Sequence, residues 1–315
     1  MTTALIFPGQ GSQAPGMGKA LAAEFAVARD VFRQVDDELD QNLSTLMFEG
    51  PEAELTLTSN AQPALMAVSI AVTRVLESEA GLNIARDIAF VAGHSLGEYS
   101  ALVAAGSLDI ATAARLLRLR GDAMQRAVAP GEGAMAALLG LEEGVAPKLA
   151  SEAAQETGGI CEIANDNGGG QIVVAGTSAA VSRAMELAKA RGAKRAIALQ
   201  VSAPFHCSLM QPAAAEMKAA FGATRLRALQ VPLVANVTAS AVHDPAQITA
   251  LLVRQVTATV RWRESVAFMV AQGVTHFYEL GCGKVLAGLV KRIAPAAATL
   301  SVGTPADVEA FKNRT

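Results

Sequence analysis

Short and long apolar runs alternate along this chain, and the alternation itself predicts its elements. Residues 4–7 and 88–93 are short continuous apolar runs, the first followed by Pro8-Gly9 and the second ending at Gly93, which predicts strands buried on both faces. Each delivers a turn: Pro8-Gly9-Gln10-Gly11-Ser12-Gln13 after the first and Gly93-His94-Ser95-Leu96-Gly97 after the second. Helical spacing of apolar positions runs through 20–39 and, after a break containing Pro and Ser, through 62–76. The Ala-rich stretch that follows Ser95 as far as Ala105 reads as a helix packed close to a sheet.

From 133 to 201 the period changes. A strand over 134–141, a helix over 142–155, strands over 160–164 and 171–176, a helix over 179–191 and a strand over 195–201 give the order βαββαβ. That order is the ferredoxin-like arrangement, whose ends lie close together, so residues 133–201 are expected to be a subdomain inserted into a larger α/β domain made of 1–132 and 202–315. A helix starting near Met210, a strand over 231–236, helices around 248–257 and 262–272, and a strand over 276–280 complete the larger domain. Alternating strands and helices imply a mostly parallel sheet covered on both faces.

Composition narrows the function. With 51% hydrophobic and 17% charged residues among 315, the chain can bury a large core. A net charge of -3 without a Lys/Arg block argues against nucleic acid as a partner. The N-terminus lacks the basic start and long apolar run of a signal peptide, and no stretch predicts a membrane span, so a cytoplasmic protein is expected. Cys161, Cys207 and Cys282 are too widely spaced for a metal site or a disulfide framework.

The turn around Ser95 has the form G-x-S-x-G between a strand and a helix. There the glycines permit a tight backbone, the hydroxyl is exposed, and the amide of the next residue, Leu96, faces a developing oxyanion. A serine hydroxyl needs a base, and the chain has four histidines. His94 adjoins Ser95 and points elsewhere; His243 sits in a polar turn and His276 starts a strand. His206 follows Pro204-Phe205 where the chain re-enters the larger domain, a position that commonly lines a cleft. The residues alone leave His206 open between base and bystander. They also leave Gln255 open as an ordinary helical glutamine, Gln10 as a turn residue, Arg120 as a solvated helix charge like Arg115 and Arg118, and Asn165 and Asn167 as turn formers.

Taken together, Phe7-Pro8-Gly9-Gln10-Gly11-Ser12-Gln13, Gly93-His94-Ser95-Leu96-Gly97-Glu98-Tyr99, Pro204-Phe205-His206 and Gly281-Cys282-Gly283-Lys284-Val285-Leu286 resemble malonyl-CoA:acyl carrier protein transacylases in order and spacing, over nearly the whole chain. The resemblance implies an α/β-hydrolase-like core with an inserted ferredoxin-like subdomain. It implies malonyl-CoA and an acyl carrier protein as partners of a monomer, and ping-pong transfer through malonyl-Ser95, for which no metal and no redox cofactor are expected. It makes His206 the base, oriented by the backbone carbonyl of Gln255 with no triad carboxylate. The amides of Gln10 and Leu96 become the oxyanion hole, Arg120 the clamp on the malonyl carboxylate, and Asn165 and Asn167 asparagines that line the substrate cleft, Asn167 being the one expected to bind substrate. Phe205 and Cys282 depart from the common bacterial pattern of Ser and Pro, and a bulky Phe beside the base leans towards unbranched malonyl. The acceptor is expected to serve fatty-acid synthesis, with a polyketide carrier as the alternative. An acyl-carrier-protein hydrolase and a silent docking scaffold are the rival functions.

Overall fold

The structure, a computed structural model, describes residues 2–313. Ten strands occur in chain order: β1 (Thr3–Phe7), β2 (Phe90–Gly93), β3 (Gly133–Leu139), β4 (Cys161–Asp166), β5 (Gln171–Thr177), β6 (Arg195–Ala198), β7 (Leu233–Ala235), β8 (Ser240–Val242), β9 (His276–Leu280) and β10 (Ala298–Val302). Six of them form one sheet in the order β10-β9-β1-β2-β7-β8, parallel throughout except for β8, which returns antiparallel beside β7. β1 lies near its centre and is wholly buried, which is why its sequence is an unbroken apolar run. Leu5 and Phe7 face a large cluster with Leu65 and Val68 of the helix Thr58–Ala80. Ala4 and Ile6 face the opposite side, among Trp262, Met269 and Leu289. The period of two along the strand thus sorts its side chains into two cores.

The other four strands form a separate antiparallel sheet in the order β4-β5-β3-β6. With the helices Val145–Thr157 and Ser178–Ala190 between its strands, this is the ferredoxin-like topology. Both helices cover one face, where Ala136, Leu138 and Val174 meet Leu149 and Ala184. The alternate residues Met135, Ala137, Val173 and Ala175 join the large cluster instead, so the second sheet turns its other face towards the first. The α/β class and the parallel and antiparallel sheets are therefore as the sequence pattern indicates.

Five segments differ from the periodicity reading. The helix expected over 20–39 is two helices, Lys19–Glu24 and Ala26–Leu39, joined at Phe25 in extended backbone. Breaking there lets the Phe25 ring enter the core. The strands β8 and β10 lie at the two edges of the large sheet, the first only three residues long and the second half-exposed, so neither carries a strong apolar signal. The helices Val285–Ile293 and Pro305–Lys312 also lie outside the reading.

Candidate active site

β2 ends at Gly93 and the helix Gly97–Ala104 begins four residues later, so the chain reverses within a very tight turn. A Cβ on Gly93 would lie 1.9 Å from the carbonyl carbon of Gly97, and one on Gly97 would lie 2.3 Å from the Phe7 carbonyl oxygen. Only glycine permits that approach. Between them Ser95 adopts φ 53°, left-handed backbone that a serine enters only when its surroundings hold it there. The holding contacts are explicit. The Ser95 amide donates to Asn236 Oδ1 at 2.8 Å, and the Ser95 carbonyl accepts from Gln255 Nε2 at 2.9 Å.

His206, also left-handed at φ 60°, approaches from the loop after β6. Its Nε2 lies 2.8 Å from Ser95 Oγ, and its Nδ1 lies 2.8 Å from the main-chain oxygen of Gln255. A carbonyl oxygen can only accept, so Nδ1 carries the hydrogen and Nε2 presents a lone pair to the serine hydroxyl. Burial, and then the positive charge of Arg120, push the imidazole down to about 3. A neutral ring in front of a serine hydroxyl is the state from which a base acts.

Arg120 projects from the helix Ile110–Arg126 and is 1% exposed. Its Nη1 donates to Gln62 Oε1 at 2.7 Å, and its Nη2 donates to Gln255 Oε1 at 2.9 Å and to Ser95 Oγ at 3.1 Å. Nε has no protein partner, and the guanidinium carbon stands 5.8 Å from the centre of the Tyr99 ring. Burial lowers its pKa, and the nearby Tyr99 and Glu98 work against that shift. A buried guanidinium with hydrogens to spare, beside a nucleophile, is suited to an anionic group.

Gln10 is anchored through its side chain, which accepts from Thr58 Oγ1 at 2.9 Å. Thr58 in turn accepts from Gln62 Nε2 at 2.8 Å, so the Gly-rich loop and the arginine are held by one chain of hydrogen bonds. Among the described residues, neither the Gln10 amide nor the Leu96 amide enters a backbone hydrogen bond. Leu96 also heads the helix Gly97–Ala104, where unpaired amides and the helix dipole favour negative charge.

These residues line a cleft of about 270 Å³ between the two sheets, with Met135, Asn165 and Phe205 across from Ser95. His94 is on its wall, with Nε2 2.9 Å from Asn167 Oδ1 and its ring against Trp262. Asn167 is therefore linked to the cleft through His94, and Asn165 is the asparagine that lines it. Cys207 is buried with its thiol donating to the Pro204 carbonyl, and burial pushes that thiol up to about 12, so it is inert at neutral pH. Among the described residues no cluster of His, Cys, Asp or Glu could hold a metal ion.

The sequence reading missed Asn236, Gln62 and Glu98. Glu98 is 2% exposed, and its carboxyl accepts from the Asn236 amide at 2.9 Å and from Gln255 Nε2. Its signal was present as the one charged residue in an apolar helix. Gln62 is one polar residue in a helix buried over most of its length, and Asn236 follows a three-residue strand, so neither stands out.

A serine in a strand-to-helix elbow, a histidine on its hydroxyl and two unengaged amides define a class of acyl-transferring enzymes. The sequence profile of the acyl transferase domain family matches residues 4–299. A malonyl CoA-acyl carrier protein transacylase of Bacillus subtilis (strain 168) is 47% identical over 97% of this chain and 95% of its own. The crystal structure of an acyl-carrier-protein-S-malonyltransferase from Bartonella henselae superimposes with a TM-score of 0.96 at 55% identity, covering 98% of each chain. A malonyl-transacylase solved in complex with a type II PKS acyl-carrier protein gives 0.95 at 42% identity, over 100% of each chain. The chain belongs to the malonyl CoA-acyl carrier protein transacylase family. No helix among the described residues is long and apolar enough to cross a membrane.

Proposed function

We propose that this enzyme transfers a malonyl group from malonyl-CoA to the phosphopantetheine thiol of an acyl carrier protein, by a ping-pong route through malonyl-Ser95. The malonyl carboxylate pairs with Arg120. Ser95 Oγ attacks the thioester carbon as its proton passes to His206 Nε2, and the oxyanion falls to the amides of Gln10 and Leu96. Collapse breaks the carbon–sulfur bond, His206 returns the proton to the CoA thiolate, and the ester remains on Ser95. The carrier thiol then gives its proton to His206, attacks the ester carbonyl, and releases Ser95 with its hydrogen restored. Gln255 orients His206 through its carbonyl, and Asn167 supports the cleft wall through His94.

The observation that carries this reading is Arg120, buried within hydrogen-bond reach of the nucleophile. An acyl hydrolase needs the serine and the histidine but has no use for that charge. We assign the catalytic domain to 1–132 and 202–315 and the inserted subdomain to 133–201, supported by the separate pairing of β3 to β6. The three cysteines are free, which suits a reducing cytoplasm, the net charge of -3 without a Lys/Arg block suits a protein with no nucleic-acid partner, and a monomer is expected. Fatty-acid synthesis is the expected destination of the malonyl group, and parallel assays with fatty-acid and polyketide carriers would assign it. Mass spectrometry of the protein mixed with malonyl-CoA tests the core of the proposal. A malonyl adduct on Ser95 that disappears in Ser95→Ala is expected; no adduct, or the same adduct in the variant, would refute it.

A further inference from the structure

Glu98 stands behind the nucleophile, beyond reach of any substrate, with two hydrogen-bond donors aimed at its carboxyl. Oε1 accepts the Asn236 amide at 2.9 Å, and Oε2 accepts Gln255 Nε2. Those two partners hold the peptide groups on either side of Ser95. Asn236 Oδ1 takes the Ser95 amide at 2.8 Å while its Nδ2 donates to the Gly93 carbonyl at 2.7 Å. Gln255 Nε2 donates to the Ser95 carbonyl at 2.9 Å. The same Gln255 holds Arg120 through Oε1 and His206 through its main-chain oxygen. The two residues that fix the left-handed serine, one of which also holds its base and one side of the guanidinium, therefore both connect to one carboxyl.

We propose that Glu98 is a positioning residue for the Ser95 turn and for Gln255, and that malonyl transfer needs it ionised. Both groups in contact with its oxygens are donors, so a carboxylate receives them as two charge-assisted hydrogen bonds, whereas a protonated acid accepts them more weakly and brings an O–H for which neither partner is an acceptor. Protonation would therefore loosen the grip on Asn236 and Gln255. The charged and titratable groups facing Glu98 are Arg120, from the helix Ile110–Arg126, and the neighbouring Tyr99. Burial pushes the Glu98 carboxyl up to about 7, against the pull of its two hydrogen bonds and of Arg120. His206 sits at about 3, well below. The acid limb of the reaction near neutral pH then belongs to Glu98 and not to the base.

The proposal rests on Ser95 as the nucleophile, so the first measurement is malonylation of the wild-type chain. Rates of Ser95 malonylation by malonyl-CoA are followed by rapid quench and mass spectrometry from about pH 5 to 9 in wild type, Glu98→Gln and Glu98→Asp. Wild type should lose rate below about 7. Glu98→Gln should react roughly 10- to 100-fold more slowly on the alkaline side, as loss of a charge-assisted hydrogen bond implies, with KM for malonyl-CoA within about threefold and with no acid limb. Glu98→Asp, which keeps the charge, should fall between the two and retain the limb. A Glu98→Gln enzyme as fast as wild type, or one that keeps the acid limb, overturns the proposal. So does a flat profile in Glu98→Asp, which decides the matter should Glu98→Gln fail to fold. No malonyl-Ser95 in wild type would instead overturn the functional reading.

Discussion

Replacing Arg120 by methionine removes the guanidinium and keeps an apolar stem in its place, so the helix Ile110–Arg126 retains its packing. In the substrate-free enzyme both Nη2 hydrogens are committed, one to Gln255 and one to Ser95 Oγ, while Nη1 has one hydrogen beyond its bond to Gln62. A carboxylate that takes the spare Nη1 hydrogen and the Nη2 hydrogen now on Ser95 binds bidentately and frees the nucleophile's lone pair at the same time. On the proposed reading, Arg120 should therefore act twice on malonyl and hinder acetyl. Loss of a buried ion pair costs about 3–5 kcal/mol, which is roughly 150- to 5,000-fold on malonyl-CoA. For acetyl-CoA nothing is lost, and release of the Ser95 contact, worth about 1 kcal/mol, should raise the rate by up to roughly fivefold. The assay is kcat/KM for Ser95 acylation by each thioester in wild type and Arg120→Met, with melting temperature as a check on folding. A malonyl-to-acetyl preference that changes by less than about tenfold would refute the clamp and its contact with Ser95 together.

His206 makes stability depend on pH. Its folded value is about 3 against an ordinary 6.5, so between those values the unfolded chain takes a proton that the folded chain refuses, and stability falls as the solution is acidified. Glu98, raised to about 7 from 4.5, acts with the opposite sign and loses stability as pH rises through that range. The difference between wild type and His206→Asn isolates the first effect: in urea titrations the variant should gain about 2 kcal/mol on wild type between neutral pH and pH 5. An unchanged difference would show that the imidazole is not held neutral. Gly97→Ala drives a Cβ to 2.3 Å from the Phe7 carbonyl oxygen and should cost about 1–3 kcal/mol by thermal melting, with loss of acylation as the turn opens. Phe205 is 8% exposed on the cleft wall, and Phe205→Ala should increase acylation by methylmalonyl-CoA relative to malonyl-CoA; an unchanged ratio would acquit the ring of any part in selectivity.

Local pattern revealed the elements that are buried on two faces and the turn whose backbone demands glycine. β1, β2 and the Ser95 elbow were legible for those reasons. Arg120 could have been read more sharply from residues alone. Ala113, Leu116, Leu117 and Met124 form the buried stripe of its helix, and Arg120 falls on that stripe, whereas Arg115 and Arg118 lie off it and reach Glu38 and Gln41 near the surface. A charge in a core position is a question about its partner. The pairing of Ser95 with His206 spans 111 positions and left no periodic trace, so it came from the family resemblance. Asn236 and Gln255 carry their functions through contacts 141 and 160 positions away from Ser95, beyond the range of any pattern along the chain.

The carbonyl that steadies His206 belongs to the last residue of the helix Pro245–Gln255. Terminal carbonyls of a helix have no partner within it, and they lie at the negative end of its dipole. The imidazole is thus disciplined by where a helix stops rather than by which side chain stands there. No substitution at 255 can delete that acceptor, though many would loosen the grips on Arg120 and Ser95. That oxygen already takes the Ala258 amide at 3.4 Å, so an insertion that let the helix run on for another turn would draw it into the helical ladder, and the imidazole would have to share it.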